Sequence, residues 1–236
     1  MIDTLARIPS IRLERSRHAA PQIFEALREL IIAVELVPGT VLPRAEIAEH
    51  YGVSQTPVRD AMIKLGEEGL VEIYPQHATI VSQIDVESAR QAHFLRRALE
   101  IEIVREIAAR PREAVEPLLR KLRVHIASQR LAASPDSYAD FIEADRAFHR
   151  ELYEAAGAAG LWALVRQRSG HIDRLRRLHL PAEGKTERVI RDHSGIVAAI
   201  ELGQPEAAAE AMRTHLAGTL GIVEEIRAQH PTYLTR

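Results

Sequence analysis

Residues 41–81 read VLPRAEIAEHYGVSQTPVRDAMIKLGEEGLVEIYPQHATIV, and no other part of the chain is as informative. A short helix is predicted over Arg44–His50, followed by a turn centred on Gly52 and a second helix that starts at Thr56-Pro57. Proline at the first helical position lacks only an amide that would have no partner, and the threonine before it can cap the exposed amides. Gly69 stands where this helix should end, at the position after a helix that is often left-handed. A hairpin rich in Val and Ile follows. This order and spacing predict a winged helix-turn-helix.

The second helix of this motif has one apolar face and one polar face. Val58, Ala61, Met62 and Leu65 recur at the i, i+3, i+4, i+7 spacing of a buried stripe. A recognition helix carries its base- and phosphate-contacting groups near its start, on the side away from that stripe. To the residues at the start of this helix we add Arg44 of the preceding helix and His77 at the tip of the hairpin. The predicted DNA-contacting residues are Arg44, Ser54, Gln55, Thr56, Arg59 and His77.

The composition is that of a globular protein with a strong helical preference. Of the 236 residues, 46% are hydrophobic, 27% are charged and 4% are aromatic. The chain contains no cysteine, so any metal must be held by histidine and carboxylate side chains. No apolar run approaches the roughly 18 residues of a membrane span, and the N-terminus lacks the apolar core of a signal peptide. We therefore expect no membrane partner and a cytoplasmic location.

The fold class predicted for the whole chain is mainly α. A first helix over Pro21–Glu35 and the motif with its hairpin form a DNA-binding domain at residues 1–82. Residues 83–236 show long helical periodicity interrupted by Pro and Gly, which predicts an antiparallel all-helical bundle of six to seven helices. Six helices are predicted there, at Val86–Ala109, Arg112–Ala132, Ser137–Ala156, Leu161–Leu178, Lys185–Leu202 and Glu206–Gln229.

Four polar residues of the second half lie on otherwise apolar helix faces. Asp145 and His149 are four residues apart and project from one side of their helix, while His193 and His215 lie on the inward faces of the last two helices. Buried groups of this kind need partners. One carboxylate and three imidazoles suit Zn, Ni, Mn or Fe. The alternative, that each is a hydrogen-bonded core residue, remains open.

The chain resembles the GntR family of bacterial transcription regulators, within it the FadR-type subfamily with a helical FCD effector domain. The resemblance rests on GVSQTPVRDAMIKLGEEGLVEI at 52–73, DRAFH at 145–149 and DHSGIVAAIELGQPEAAAEAMRTHL at 192–216. It extends from about Pro21 to Arg227. In metal-binding members these positions hold a divalent cation, with Zn favoured. The resemblance thus implies the metal ligands Asp145, His149, His193 and His215.

The resemblance also implies an effector-binding arginine in the first helix of the second domain. Its pattern matches LRRALE at 95–100, which makes Arg96 the residue expected to grip a carboxylate effector. Alternatively, Arg96 simply pairs with Glu100 one turn later.

Three features bear on how such a regulator would bind DNA. The net charge is −2, although DNA-binding domains are often basic, so we expect modest non-specific affinity. Gln55 stands where the family usually has Arg, and glutamine can still bond an adenine edge. Ala78 stands where the hairpin tip usually has Gly. Operator preference and the docking of the hairpin are therefore expected to differ.

The resemblance implies a homodimeric regulator, not an enzyme. Two recognition helices would bind a near-palindromic double-stranded operator, and a small carboxylate effector would relieve repression. One alternative is a regulator whose metal is purely structural and which has no effector. Another is a metal-dependent enzyme, but helical phosphohydrolases use a His-Asp doublet, whereas this chain has the reverse order at Asp192-His193 and no evident general base.

Overall fold

The structure of the chain is a computed structural model that describes residues 7–8, 13–75, 77–134, 137–179, 184–218, 220–221 and 223–235. Among these residues it has eleven helices and one two-stranded hairpin, which confirms a mainly α fold with an N-terminal winged helix-turn-helix. No described helix is long and apolar enough to cross a membrane. The elements are α1 Ala19–Ile32, α2 Arg44–His50, α3 Gln55–Glu67, β1 Val71–Tyr74, β2 Ala78–Val81, α4 Val86–Ala108, α5 Arg112–Leu131, α6 Tyr138–Ala155, α7 Ala159–Arg168, α8 Gly170–His179, α9 Lys185–Glu201, α10 Pro205–Ala217 and α11 Val223–Gln229.

The chain forms two compact units, each with its own apolar core. The first unit contains the winged helix-turn-helix together with two segments from much later in the sequence. The predicted domain limits, 1–82 and 83–236, describe continuous segments and remain a prediction. The first unit comprises Met1–Ala89, Gly170–Leu178 and Val223–Arg236, and the second comprises Arg90–Ser169 and His179–Ile222.

The start of α3 and the hairpin differ in detail from the prediction. The helix begins at Gln55, so Pro57 is its third residue instead of its first. This is tolerated because the amides of the whole first turn lack partners inside the helix. Gly69, predicted as a left-handed residue after the helix, has φ +71°. Val71 is buried but Ile73 is 46% exposed, because a two-stranded ribbon has few neighbours to cover it.

In the second unit, α5 packs against both α6 and α9, and α10 packs against α9. Two helices that were predicted as continuous are each divided. The predicted helix 161–178 breaks at Ser169 into α7 and α8, and the Ser169 hydroxyl bonds back to the Val165 carbonyl at 2.7 Å. The predicted helix 206–229 is divided into α10 and α11 near Gly218 and Gly221, which have low helix propensity.

The segment after the hairpin is fixed within the first unit by hydrogen bonds to backbone carbonyl groups. The Ser82 hydroxyl donates to the Gly69 carbonyl at 2.6 Å. The Ile84 amide donates to the Tyr233 carbonyl at 2.7 Å, and the Thr235 amide donates to the Ile84 carbonyl at 3.1 Å. The C-terminal residues therefore pair with this segment as a short parallel bridge.

Helix α8 holds the same segment through a buried arginine and histidine. Arg174 is completely buried and donates to the Ser82 carbonyl at 2.8 Å. The His171 Nδ1 accepts the Asp85 amide at 2.9 Å and lies 2.9 Å from Nη2 of Arg174. Protonating Nδ1 would break both contacts. Burial, together with the charge of Arg174, therefore lowers the pKa of His171 to about 4.

This buried histidine should make the folded state sensitive to mild acid. His171 binds a proton near pH 6.5 in the unfolded chain and near pH 4 in the folded chain. The free energy of unfolding should therefore decrease as the pH is lowered through this range. His171→Gln keeps an acceptor but cannot titrate. Between about pH 7.5 and about pH 5 the wild type should lose about 2 kcal/mol more than this variant. Urea unfolding at both pH values, with metal chelated, measures the difference.

The control is His18→Gln, at an exposed position before α1, which should follow the wild type. Equal pH dependence in the wild type and in His171→Gln would contradict the role assigned to His171.

Candidate nucleic-acid interface and metal centre

The side chains predicted to contact DNA are exposed at the starts of α2 and α3. Arg44 is the first residue of α2, and Ser54, Gln55 and Thr56 lie at the N-terminal end of α3. Arg44 Nε donates a hydrogen bond to Gln55 Oε1 at 3.2 Å. This contact links the two helix starts and orients the Gln55 amide.

Arg59 and His77 are also exposed. The Arg59 side chain is 61% exposed, and its Nε lies 3.7 Å from Asp60 Oδ1. An ion pair this exposed contributes little to stability. The Arg59 guanidinium can therefore leave Asp60 and bind a phosphate at little cost in free energy. His77 lies in the turn just before β2. All six predicted residues are exposed, and their contact with DNA stays a prediction.

The four predicted metal ligands are brought together by three helices. Asp145 and His149 lie on α6, His193 on α9 and His215 on α10, and one potential ligand atom from each lies within 4.8 Å of all the others. The Nε2 atom of His215 is 3.2 Å from that of His193 and 3.3 Å from that of His149. Asp145 Oδ1 lies 3.8 Å from His193 Nε2. All but His215 are almost completely buried.

The spacing of these atoms fits a divalent cation. Donors at 2.0–2.1 Å from a tetrahedral ion are about 3.3 Å apart, and the imidazole nitrogens are separated by 3.2 and 3.3 Å. A proton on the His215 Nε2 can point to only one of its two neighbouring nitrogens, whereas a cation can bind the lone pairs of all three rings. The donor set therefore fits a metal better than it fits a purely hydrogen-bonded core.

The second nitrogen of each ring faces an oxygen on another side chain. Where such a contact is within hydrogen-bond distance, as at His149 and His193, it fixes the orientation of the ring and leaves the other nitrogen directed at a bound metal. The ring of Phe148 also stacks on His193, with centroids 3.9 Å apart. The Nδ1–oxygen distances are 2.8 Å for His149 and Glu100, 3.0 Å for His193 and Gln129, and 3.7 Å for His215 and Asp192.

Arg96 pairs with Glu100, the contact that the sequence offered as an alternative to effector binding. Its Nε donates to Oε1 at 2.8 Å, and both side chains are buried. Burial alone would raise the pKa of Glu100, but Arg96 and His149 outweigh it and hold this pKa well below its usual value. The guanidinium has five N–H donors, so the ion pair does not preclude effector binding by Arg96, which stays a prediction.

The sequence did not predict the outer oxygens as part of the site. Glu100 was visible only as a partner of Arg96, and Asp192 only as a neighbour of His193 in the sequence. Gln129 carried no signal, because its role depends on the packing of α5 against α9.

Comparison with protein families divides the chain into two matched regions. Residues 19–81 match the model described as bacterial regulatory proteins, gntR family. Residues 91–218 match the FCD domain model.

Relatives with matching sequences are named as transcription regulators. An HTH-type transcriptional regulator in an unstable DNA locus of Streptomyces ambofaciens is 34% identical, over 89% of this chain and 86% of its own length. The HTH-type transcriptional repressor RspR of Escherichia coli K12 is 30% identical, over 91% of this chain and 92% of its own length.

Solved structures support the fold. E. coli McbR/YncC superposes with a TM-score of 0.73 at 20% identity, covering 89% of this chain and 98% of that one. A transcriptional regulator GntR from Rhodococcus sp. RHA1 gives a TM-score of 0.72 at 20% identity, covering 87% and 97%. The family matches and the sequence relatives set aside the enzyme alternative. The chain belongs to the GntR family and is a DNA-binding transcription regulator with an FCD domain.

Proposed function

We propose that this regulator is a metabolite-responsive repressor whose DNA affinity is controlled by a small carboxylate bound at a metal centre. The observation that carries the proposal is the convergence of three imidazoles and one carboxylate in the second unit of a DNA-binding protein. The relative RspR is named a repressor, which supports repression over activation. Because a regulator of this kind acts on chromosomal DNA, we place the protein in the cytoplasm.

DNA binding is assigned to a homodimer with two recognition helices in successive major grooves of a near-palindromic operator. Arg44 and Arg59 anchor phosphates or guanines, and Gln55 contacts a base edge. Ser54 and Thr56 contact base edges or the backbone, and His77 approaches the duplex from the hairpin. The exposure of all six supports the assignment.

Replacing Arg59 tests the proposed interface. Arg59→Ala should weaken binding to duplex DNA from upstream of the protein's own gene by about tenfold, and should reduce the salt dependence by about one ion. Gel-shift titrations at several salt concentrations measure both quantities. The matched control is Arg120→Ala, which removes an exposed arginine of α5 in the other unit. Equal binding by wild type and Arg59→Ala would remove Arg59 from the interface.

The metal centre is assigned to Asp145, His149, His193 and His215. Their donor chemistry accommodates Zn, Ni, Mn or Fe, and Zn is favoured because the nitrogen spacing fits a tetrahedral site. A bound divalent cation would supply a coordination position for an oxygen of the effector carboxylate.

Loss of one buried imidazole should abolish metal retention. His193 is completely buried between Phe148 and Gln129. After dialysis, wild-type protein loaded with Zn²⁺ should retain about one ion per chain and unfold at a higher temperature than metal-free protein. His193→Ala should show neither property. His125→Ala, a half-buried histidine beside Glu151, should behave as the wild type does. Zinc retention by His193→Ala would contradict the assignment.

The effector is proposed to be a sugar acid, a hydroxy acid or a dicarboxylate, gripped by Arg96 and the cation. A charge-assisted bond from a buried guanidinium suits a carboxylate. The competing possibility is a purely structural metal without any effector.

Calorimetric titration separates these two possibilities. Zinc-loaded wild-type protein titrated with a panel of organic acids should release or absorb heat with at least one class of acid. His193→Ala should give no heat with that acid. Absence of heat across the whole panel would favour the structural metal and contradict the proposed effector.

A further inference from the structure

Helix α4 contributes none of the four proposed ligands. Of the three oxygens that lie beside Nδ1 atoms of the ligand rings, however, the nearest belongs to a residue of α4. Glu100 Oε2 lies 2.8 Å from His149 Nδ1, and the carboxylate is completely buried. We propose that Glu100 is a positioning residue of the metal centre, which accepts the Nδ1 proton of His149 and thereby presents Nε2 to the ion, while Arg96 holds the carboxylate in place. This inference rests on the proposed metal centre.

The acceptor selects one of two forms of the imidazole. A neutral histidine carries a single N–H, and an acceptor beside Nδ1 favours the form in which Nδ1 is protonated and Nε2 has a lone pair. In His149 the Nε2 atom is the one that faces His215, at 3.3 Å. Glu100 therefore lies beside Nδ1 of His149, while the ring nitrogen that converges with it from His215 lies beside Nε2.

Arg96 makes it possible for this carboxylate to be buried and ionised. An isolated buried charge is costly, and the cost is offset only by a close partner of opposite charge. Arg96 Nε lies 2.8 Å from Oε1 and Nη2 lies 3.4 Å from Oε2. Both residues are on α4, four positions apart, so a single helix supplies the acceptor and its counter-ion.

The other two rings have weaker outer partners. His193 faces a neutral amide oxygen of Gln129, and His215 faces Asp192 at 3.7 Å, with the Asp192 side chain 19% exposed. Of these three outer contacts, the one at His149 is short, charged and fully buried. Substitution of Glu100 should therefore weaken the metal centre more than substitution of Asp192 does.

The test is Zn²⁺ affinity of the full-length protein, measured by competition with a chelating dye and without any organic acid. Glu100→Gln should weaken Zn²⁺ binding about 10- to 100-fold. Because this change leaves Arg96 buried beside a neutral group, a second variant, Arg96→Met/Glu100→Leu, replaces the pair with apolar side chains of similar size. It should show the same loss. The control is Glu102→Gln, an exposed carboxylate of the same helix that pairs with Arg105.

The tautomer of His149 provides a readout that a merely structural role would not change. In metal-free wild-type protein, long-range ¹H–¹⁵N spectra should show Nδ1 of His149 protonated, and the double variant should shift this ring toward the other tautomer. Failure of wild-type protein to bind Zn²⁺ would contradict the metal centre itself. Wild-type binding with unchanged affinity in both variants, or protonated Nε2 in wild-type His149, would overturn the role of Glu100.

Discussion

The convergence of three imidazole nitrogens is the constraint on which the second unit depends. His149, His193 and His215 project from three different helices into the same small volume, with Nε2 atoms separated by 3.2 and 3.3 Å. Polar groups so deeply buried must be satisfied from within the protein. A shared cation would satisfy the ring nitrogens on one side, while Glu100, Gln129 and Asp192 face them on the other. Helices α4 and α5 thus take part in the site without supplying ligands.

In the first unit, by contrast, the candidate DNA-binding side chains are exposed. Its apolar residues form a core, in which Val58 and Leu65 of α3 are completely buried. This unit also includes α8, which is joined in the chain to α7 of the second unit. Arg174 and His171 of α8 bond the segment that follows the hairpin.

Local patterns in the sequence predicted much of this structure. The bounds of α2 and the left-handed Gly69 follow from short-range rules and are confirmed. The proximity of Asp145 and His149 to the distant His193 and His215 followed from helical periodicity, because each was placed on an inward face. The breaks at Ser169 and near Gly218 were missed, since the apolar pattern continues across them. The roles of Glu100 and His171 depend on contacts between distant segments, which periodicity does not encode.

The proposed regulation requires that an acid bound at the metal centre change the affinity of the protein for DNA. Fluorescence anisotropy of a labelled operator, titrated with zinc-loaded protein in the presence and absence of the acid that binds most tightly, measures this coupling directly. Wild-type protein should form a weaker operator complex in the presence of the acid, and the acid should have no effect on His193→Ala. The same operator dissociation constant with and without the acid in wild-type protein would contradict the proposed regulation.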